Sequence, residues 1–235
     1  FLISGMIPRD VGKVAVDIAL STISFSGLLL VLFVGINLLA KDLDRRTIYM
    51  VLSRPISRSQ YLVGKFFGIV LLLAVTIMFL SLFAAVTLTV IKLTYADYFG
   101  RFSWLHVVTA VAYILLMLTV LTAISFLFAS FSTTSFVTLI LTMISYMIGQ
   151  SLTDVKTLVE SSPSSGLTIS PISLKTVQAT YYLFPNLSLF DFKMQAAHGL
   201  SVQPEQLLWV ALYGVGYTVI IILCAAFIFR RREFP

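Results

Sequence analysis

The chain has 235 residues, of which 59% are hydrophobic and 11% are charged, and its formal net charge is +6. Soluble globular proteins carry about 25% charged residues, so this composition excludes an ordinary water-soluble domain. Long uncharged runs match the ~20 residues of a helical span, whereas barrel strands would show alternating segments of about 10 residues. The predicted fold class is therefore all-α, a polytopic bundle of membrane helices.

Five apolar segments are predicted as spans, and none has a charged residue near its centre. In chain order they are 16–40, 61–91, 105–131, 136–150 and 207–229. The whole chain, 1–235, then forms a single transmembrane domain. Phe1 to Met6 reads as the end of an apolar segment that stops before Pro8. We therefore expect one further span upstream of Phe1, and six spans in the complete subunit.

Basic residues predict the orientation of these spans. They are concentrated in the 41–60 loop and at Arg230, Arg231 and Arg232, beside spans rather than in a nucleic-acid-binding patch. Short loops rich in Lys and Arg stay on the cytoplasmic side. Four crossings separate the two basic segments, so both lie inside and the C-terminus is cytoplasmic. The 151–206 stretch is then extracytoplasmic or interfacial, and within it the apolar, interrupted Tyr181 to Phe192 predicts an interfacial or partly re-entrant segment.

The inner loop 41–60 predicts a short amphipathic helix at the cytoplasmic surface. Its first turn holds Asp42 and Asp44, whose negative charge suits the helix dipole. Part of one face is apolar, formed by Leu43, Ile48, Val51 and Leu52. Pro55 ends this helix, because the residue before a proline avoids helical geometry. Ser57 and Gln60 then have the spacing of a capping box that begins the next long helix.

These loop residues resemble ABC-2 type transporter permeases, in the branch that includes the NosY-like subunits. The matching stretches are Asp44-Arg45-Arg46-Thr47-Ile48-Tyr49, Leu52-Ser53-Arg54-Pro55-Ile56-Ser57-Arg58, Tyr61-Leu62-Val63-Gly64-Lys65, Tyr181 to Phe192 and Phe229 to Phe234. The resemblance implies a bacterial or archaeal cytoplasmic membrane, two permease subunits and two cytoplasmic ABC ATPase subunits. It implies no cofactor in this chain, with ATP and Mg²⁺ bound by the ATPase. A second permease copy or a related permease, and membrane lipid, are the other expected partners.

The resemblance also implies that the inner loop is a coupling helix docked on the ATPase. The residues expected to make this contact are Asp42, Asp44, Arg45, Arg46, Thr47, Ile48, Tyr49, Val51, Leu52 and Arg54. The alternative is an ordinary basic loop that only sets orientation. The chain has no Gly-x-x-x-x-Gly-Lys-Ser/Thr pattern for cradling phosphates, so we do not expect it to bind ATP in the usual way or to be an enzyme.

Hydroxyl-bearing and small residues form a second candidate site. On the fourth predicted span, four of them follow at steps of four, three and four, which places them on one helix face: Thr138, Thr142, Ser145 and Gly149. Thr122 and Ser125 repeat the pattern on the third span. Such a face can line a translocation path or a dimer seam, and it can equally serve simple helix packing.

Charge within the spans bears on the energy source. A proton- or ion-coupled carrier needs buried ionisable residues, and no Asp, Glu, Lys or Arg lies mid-span. We therefore favour an ATP-driven exporter of lipid-like or amphipathic cargo, with a non-transporting membrane anchor or assembly subunit as the alternative. His106 and His198 lack Cys or carboxylate partners at ligand spacing, so no metal site is predicted.

Overall fold

The computed structural model describes residues 11–35, 57–95, 99, 102–132, 134–165 and 184–231. Within these ranges the chain forms helices and turns without a strand, which confirms the all-α prediction. The long helices are α1 (Val11–Leu30), α2 (Arg58–Thr94), α3 (Trp104–Phe131), α4 (Ser135–Ser165) and α6 (Pro204–Arg231). A π turn, Val31–Gly35, continues α1. A 3₁₀ turn, Leu187–Phe190, and the short helix α5, Lys193–His198, lie between α4 and α6.

Five of the described helices are long and apolar enough to cross a membrane, which confirms the predicted number of visible spans. The predicted bounds of the second, third and fifth spans agree with α2, α3 and α6 to within three residues at each end. Residues 36–40 of the first predicted span lie outside the described residues.

Two described helices extend beyond the predicted spans. Helix α1 already includes Val11, five residues before the predicted start of the first span, and Lys13 and Asp17 on these early turns are exposed. Helix α4 does not end at residue 150 but continues to Ser165, so 151–165 is helical. Hydropathy locates the part of a helix that lies in hydrocarbon, whereas backbone hydrogen bonding continues past that boundary.

Helix α3 is the centre of the bundle. It packs against α1, α2, α4 and α6, and its contact with α6 is the most extensive helix pair among the described elements. Leu118, Leu121 and Phe126 of α3 are completely buried. Gly27 of α1 allows close approach, because a Cβ at that position would overlap the Leu118 side chain. The core therefore lies around α3, which fixes the positions of its four neighbours.

Helix α2 lies at the periphery and has 37 residues. At 1.5 Å per residue it is about 55 Å long, well beyond the ~30 Å of bilayer hydrocarbon. One narrow face is buried against the bundle, formed by Leu62, Phe66, Ile69, Leu73 and Ile77. The remainder of the helix exposes large apolar side chains, and no charged residue lies between Lys65 and Lys92. This surface suits lipid or a partner membrane helix.

Candidate functional site

The predicted coupling residues, from Asp42 to Arg54, lie outside the described residues, so their role stays a prediction. The elements on either side of the loop are described. At the end of the loop, the Ser57 side-chain oxygen accepts a hydrogen bond from the Gln60 backbone N–H at 3.2 Å. In return, the Ser57 backbone N–H donates to Gln60 Oε1 at 3.0 Å. The predicted capping box is confirmed, and it defines where α2 starts.

The π turn Val31–Gly35 lies between α1 and the inner loop. A π turn widens the helix locally, and such turns occur often at functional positions. Val31 is fully buried, and the turn packs against α3 and α4. Helix α2, on the other side of the loop, contacts α1, α3 and α6. Together the two flanking elements therefore contact every other long helix of the bundle.

The hydroxyl face predicted on α4 is buried within the subunit. Thr138 and Thr142 are fully buried, Ser145 is 2% exposed, and Gly149 is also buried. Thr142 Oγ1 donates to the Thr138 carbonyl and Ser145 Oγ donates to the Leu141 carbonyl, both at 2.8 Å. These bonds satisfy the hydroxyls inside their own helix, as an apolar environment requires. Because this face of α4 is buried inside one subunit, a role in helix packing is favoured. A role in lining a translocation path or a dimer seam stays a prediction.

Thr122 and Ser125 are buried in the central helix α3. The Thr122 hydroxyl donates to the Leu118 carbonyl and the Ser125 hydroxyl donates to the Thr122 carbonyl, each at 2.7 Å. Like the hydroxyls of Thr142 and Ser145 on α4, each of these hydroxyls donates its hydrogen bond to a carbonyl of its own helix. Whether they line a translocation path also stays a prediction.

Residues 184–198, called here the inserted segment, enter the bundle between the long helices. Leu187 and Phe190 are fully buried, and Phe192 is 3% exposed. The prediction of an interfacial or partly re-entrant segment covered residues 181–192, of which 184–192 are described. The described part packs against α3 and α4, and its depth relative to the membrane stays a prediction.

Two glycines make room for the inserted segment. A Cβ at Gly149 of α4 would lie 2.7 Å from Leu187 Cγ, and a Cβ at Gly214 of α6 would lie 2.8 Å from Phe190 Cε1. Gly214 is ten residues from the start of α6 at Pro204. At 1.5 Å per residue, the segment reaches about 15 Å from that helix end. It therefore packs within the bundle, between α4 and α6, rather than beyond the ends of the long helices.

A polar network ties the inserted segment to α4 and α6. Asn186 is 5% exposed, and its side-chain amide donates to Thr153 Oγ1 at 3.1 Å. Its side-chain oxygen accepts from Ser188 Oγ at 2.7 Å, and its backbone N–H donates to the Tyr213 hydroxyl oxygen at 2.9 Å. The Thr153 and Ser188 hydroxyls also bond to each other. Sequence reasoning missed this network; the available signal was an Asn directly after Pro185 in an apolar stretch.

A tyrosine of α3 completes this end of the bundle. The Tyr113 hydroxyl donates to the Leu207 carbonyl of α6 at 2.5 Å. The Tyr113 ring meets the Phe192 ring edge-on, with centroids 4.7 Å apart. The amide of Gln150 on α4 also approaches Met117 Sδ of α3 at 3.1 Å. The inserted segment is thus held by α3, α4 and α6 through polar as well as apolar contacts.

Comparison with known protein families matches residues 9–234 to the ABC-2 family transporter proteins. A search of curated proteins found no match. The matched range includes all the helices described above, from Val11 to Arg231. The same family was implied by the inner-loop residues, which lie within the range. The chain is a multi-pass membrane protein that belongs to the ABC-2 transporter family, whose members are the transmembrane components of ABC transporters and associate with an ABC ATPase.

Proposed function

We propose that this chain is the permease subunit of an ATP-driven exporter, in which the inner loop transmits ATPase closure to the membrane helices. The family match over residues 9–234 carries the proposal. Within the family, the proposal places the chain in the NosY-like branch. The complex would contain a second permease copy or a related permease, and the separate ATPase would bind ATP and Mg²⁺. The membrane would be a bacterial or archaeal cytoplasmic membrane, with the C-terminus of the chain inside.

The arrangement around the inner loop supports coupling through it. One side of the loop is the π turn, which packs against α3 and α4. The other side is α2, which begins directly after the Ser57 cap and runs without interruption to Thr94. A continuous helix transmits a displacement along its length. Movement of a docked loop would therefore reach both the peripheral and the central helices, and a bundle with two packings can respond by switching access.

The polar groups inside the bundle support a lipid-like or amphipathic cargo. Among the described residues, the buried polar side chains are those of Ser and Thr together with Asn186, and none is charged. Many of these hydroxyls, including those of Thr122, Thr142 and Thr218, are bonded to carbonyls of their own helix. Such an interior is compatible with an apolar chain and offers no buried charge to an ion. Cargo of this class is part of the proposal.

Two substitutions in the inner loop test the coupling. Arg46→Glu reverses a charge expected at the ATPase surface, and Ile48→Asp places a charge on the expected apolar face. Arg230→Glu is the matched control, because it reverses the same charge at a residue that is exposed and lies on the same predicted side but outside the loop. Membrane insertion is expected to stay normal in all three variants.

The measurement is ATP-dependent transport and ATPase activity of the reconstituted complex. We expect both loop variants to lose most of the transport, by about tenfold or more, while Arg230→Glu retains it. If ATPase binding, ATPase stimulation and transport all remain normal in Arg46→Glu and Ile48→Asp, the coupling role of this loop is wrong.

A further inference from the structure

A cleft of about 600 Å³ lies between the start of α1 and helix α5, at the predicted outer end of the bundle. It is lined by charged residues of both signs and by apolar side chains. The charged and titratable lining residues are Lys13, Asp17, Asp191, Lys193 and His198. The apolar lining residues are Val14, Met194 and Ala197. A lining of this kind suits a molecule with a charged and an apolar part.

The α5 side of the cleft is partly fixed by its own bonds. Lys193 Nζ lies 3.3 Å from Asp191 Oδ2, and the Lys193 backbone N–H donates to Asp191 Oδ1 at 3.1 Å. His198 Nδ1 donates to the Met194 carbonyl at 3.0 Å, which leaves Nε2 of the ring directed away from that bond. These contacts hold an ammonium group, a carboxylate and an imidazole at one rim of the cleft.

The α1 side contributes a second pair of opposite charges. Lys13 and Asp17 are both exposed and are one helical turn apart. The Asp17 carboxylate makes no ion pair with another residue in the described part of the chain. Among the described lining residues, the lysines and aspartates are therefore two of each sign. A ligand that carries one phosphate and one ammonium group matches this distribution better than a simple anion or cation.

An exposed apolar strip leads away from the cleft along α1. Val14, which lines the cleft, is followed at helical spacing by Ile18, Phe25 and Leu29, which are 50%, 61% and 39% exposed. These four residues share one face of a helix that crosses the membrane. The charged cleft is at the end of this helix, where lipid headgroups lie. A headgroup in the cleft therefore places its acyl chains along the strip.

We propose that this cleft binds a zwitterionic glycerophospholipid, with the phosphate at Lys13 and Lys193, the ammonium group at Asp17 and Asp191, and an acyl chain along the exposed face of α1. The lipid is a resident ligand of the subunit. The proposal depends on the membrane insertion of α1 and not on ATP coupling or on the identity of the cargo, so it can fail while the proposed function holds.

The test compares two double substitutions that each leave the net charge of the protein unchanged. Lys13→Gln with Asp17→Asn removes the α1 charges of the cleft. Asp154→Asn with Lys156→Gln is the matched control, because these two residues also carry opposite charges and lie on α4 outside the cleft. Should the first double variant fail to purify as a monodisperse peak, Asp17→Asn is compared with Asp154→Asn instead, since each removes one negative charge.

Binding is measured on the full chain in detergent by native mass spectrometry with three probes. These are a phosphatidylethanolamine, a phosphatidylglycerol with the same acyl chains, and soluble glycerophosphoethanolamine. We expect phosphatidylethanolamine to bind the wild-type chain most tightly and to bind the cleft variant about five- to tenfold more weakly, as the loss of two exposed charge contacts predicts. The control variant should match the wild type.

Three results would overturn the proposal. Equal phosphatidylethanolamine binding by both double variants would show that the lipid binds elsewhere. Phosphatidylglycerol binding as tight as that of phosphatidylethanolamine would remove the need for an ammonium group. Glycerophosphoethanolamine binding at the same concentration as the lipid would show that the apolar strip is not used and that the cleft takes a soluble headgroup compound instead.

Discussion

The position of the inserted segment depends on the absence of a side chain at Gly149. A Cβ there would lie 2.7 Å from Leu187 Cγ and 2.9 Å from the Pro185 carbonyl oxygen. Leu187 is fully buried, and the Pro185 oxygen belongs to the backbone, so neither atom can turn aside freely. Gly149→Ala therefore requires the segment to move away from α4 or the two elements to separate.

The expected cost of Gly149→Ala can be isolated with a matched glycine. Overpacking of this kind costs about 1–3 kcal/mol, while replacing a mid-helix Gly by Ala favours the helix by up to about 1 kcal/mol. A Cβ at Gly68 of α2 would lie in open space, so Gly68→Ala changes helix propensity alone. The difference between the two variants removes the propensity contribution and should be about 1–3 kcal/mol, with Gly149→Ala the less stable.

The assay is reversible unfolding by dodecyl sulfate in mixed micelles, followed through the fluorescence of Trp104 and Trp209. We expect the unfolding midpoint of Gly149→Ala to fall below the wild-type value, and that of Gly68→Ala to equal or exceed it. If the two variants have unfolding free energies that agree within about 0.5 kcal/mol, the inserted segment does not pack on α4 at this glycine.

Three further substitutions test single bonds with the same unfolding assay. Tyr113→Phe removes the hydroxyl that donates to the Leu207 carbonyl and should lower the unfolding free energy by about 1 kcal/mol; an unchanged value would show that this bond is absent in the membrane. Asn186→Ala removes the amide partner of the half-buried Thr153 and Ser188 hydroxyls, which still bond to each other, and should cost about 1 kcal/mol, whereas a neutral result would contradict the network. Ser57→Ala removes the side-chain part of the cap and should cost about 1 kcal/mol, with faster amide exchange at the start of α2 as the local measurement; unchanged exchange would contradict the cap.

Local sequence patterns predict the membrane fold well because they depend on neighbours along the chain. Apolar runs identify the five visible spans, and the spacing of Ser57 and Gln60 identifies the start of α2. The end of α4 is not predictable in this way. After Gln150 the residues become polar, yet the helix continues to Ser165, because leaving the hydrocarbon does not by itself end a helix.

The candidate site is less predictable because it depends on contacts between distant parts of the chain. The sequence identifies Gly149 as a member of a small-residue face but does not show that Leu187 fills the space beside it. The bond between Asn186 and Thr153 joins residues 33 positions apart, and no local pattern marks it. The coupling role of the inner loop remains a prediction from its residues and from the family.

The most direct test of the transporter assignment is to purify the chain in mild detergent from its native host and to identify the proteins that remain bound. We predict an ABC ATPase in a 1:1 ratio with this chain, and ATP hydrolysis that is faster in the complex than in the isolated ATPase. A chain that purifies intact and monodisperse without an ATPase, or with one whose turnover it does not change, would contradict the assignment and favour a membrane anchor.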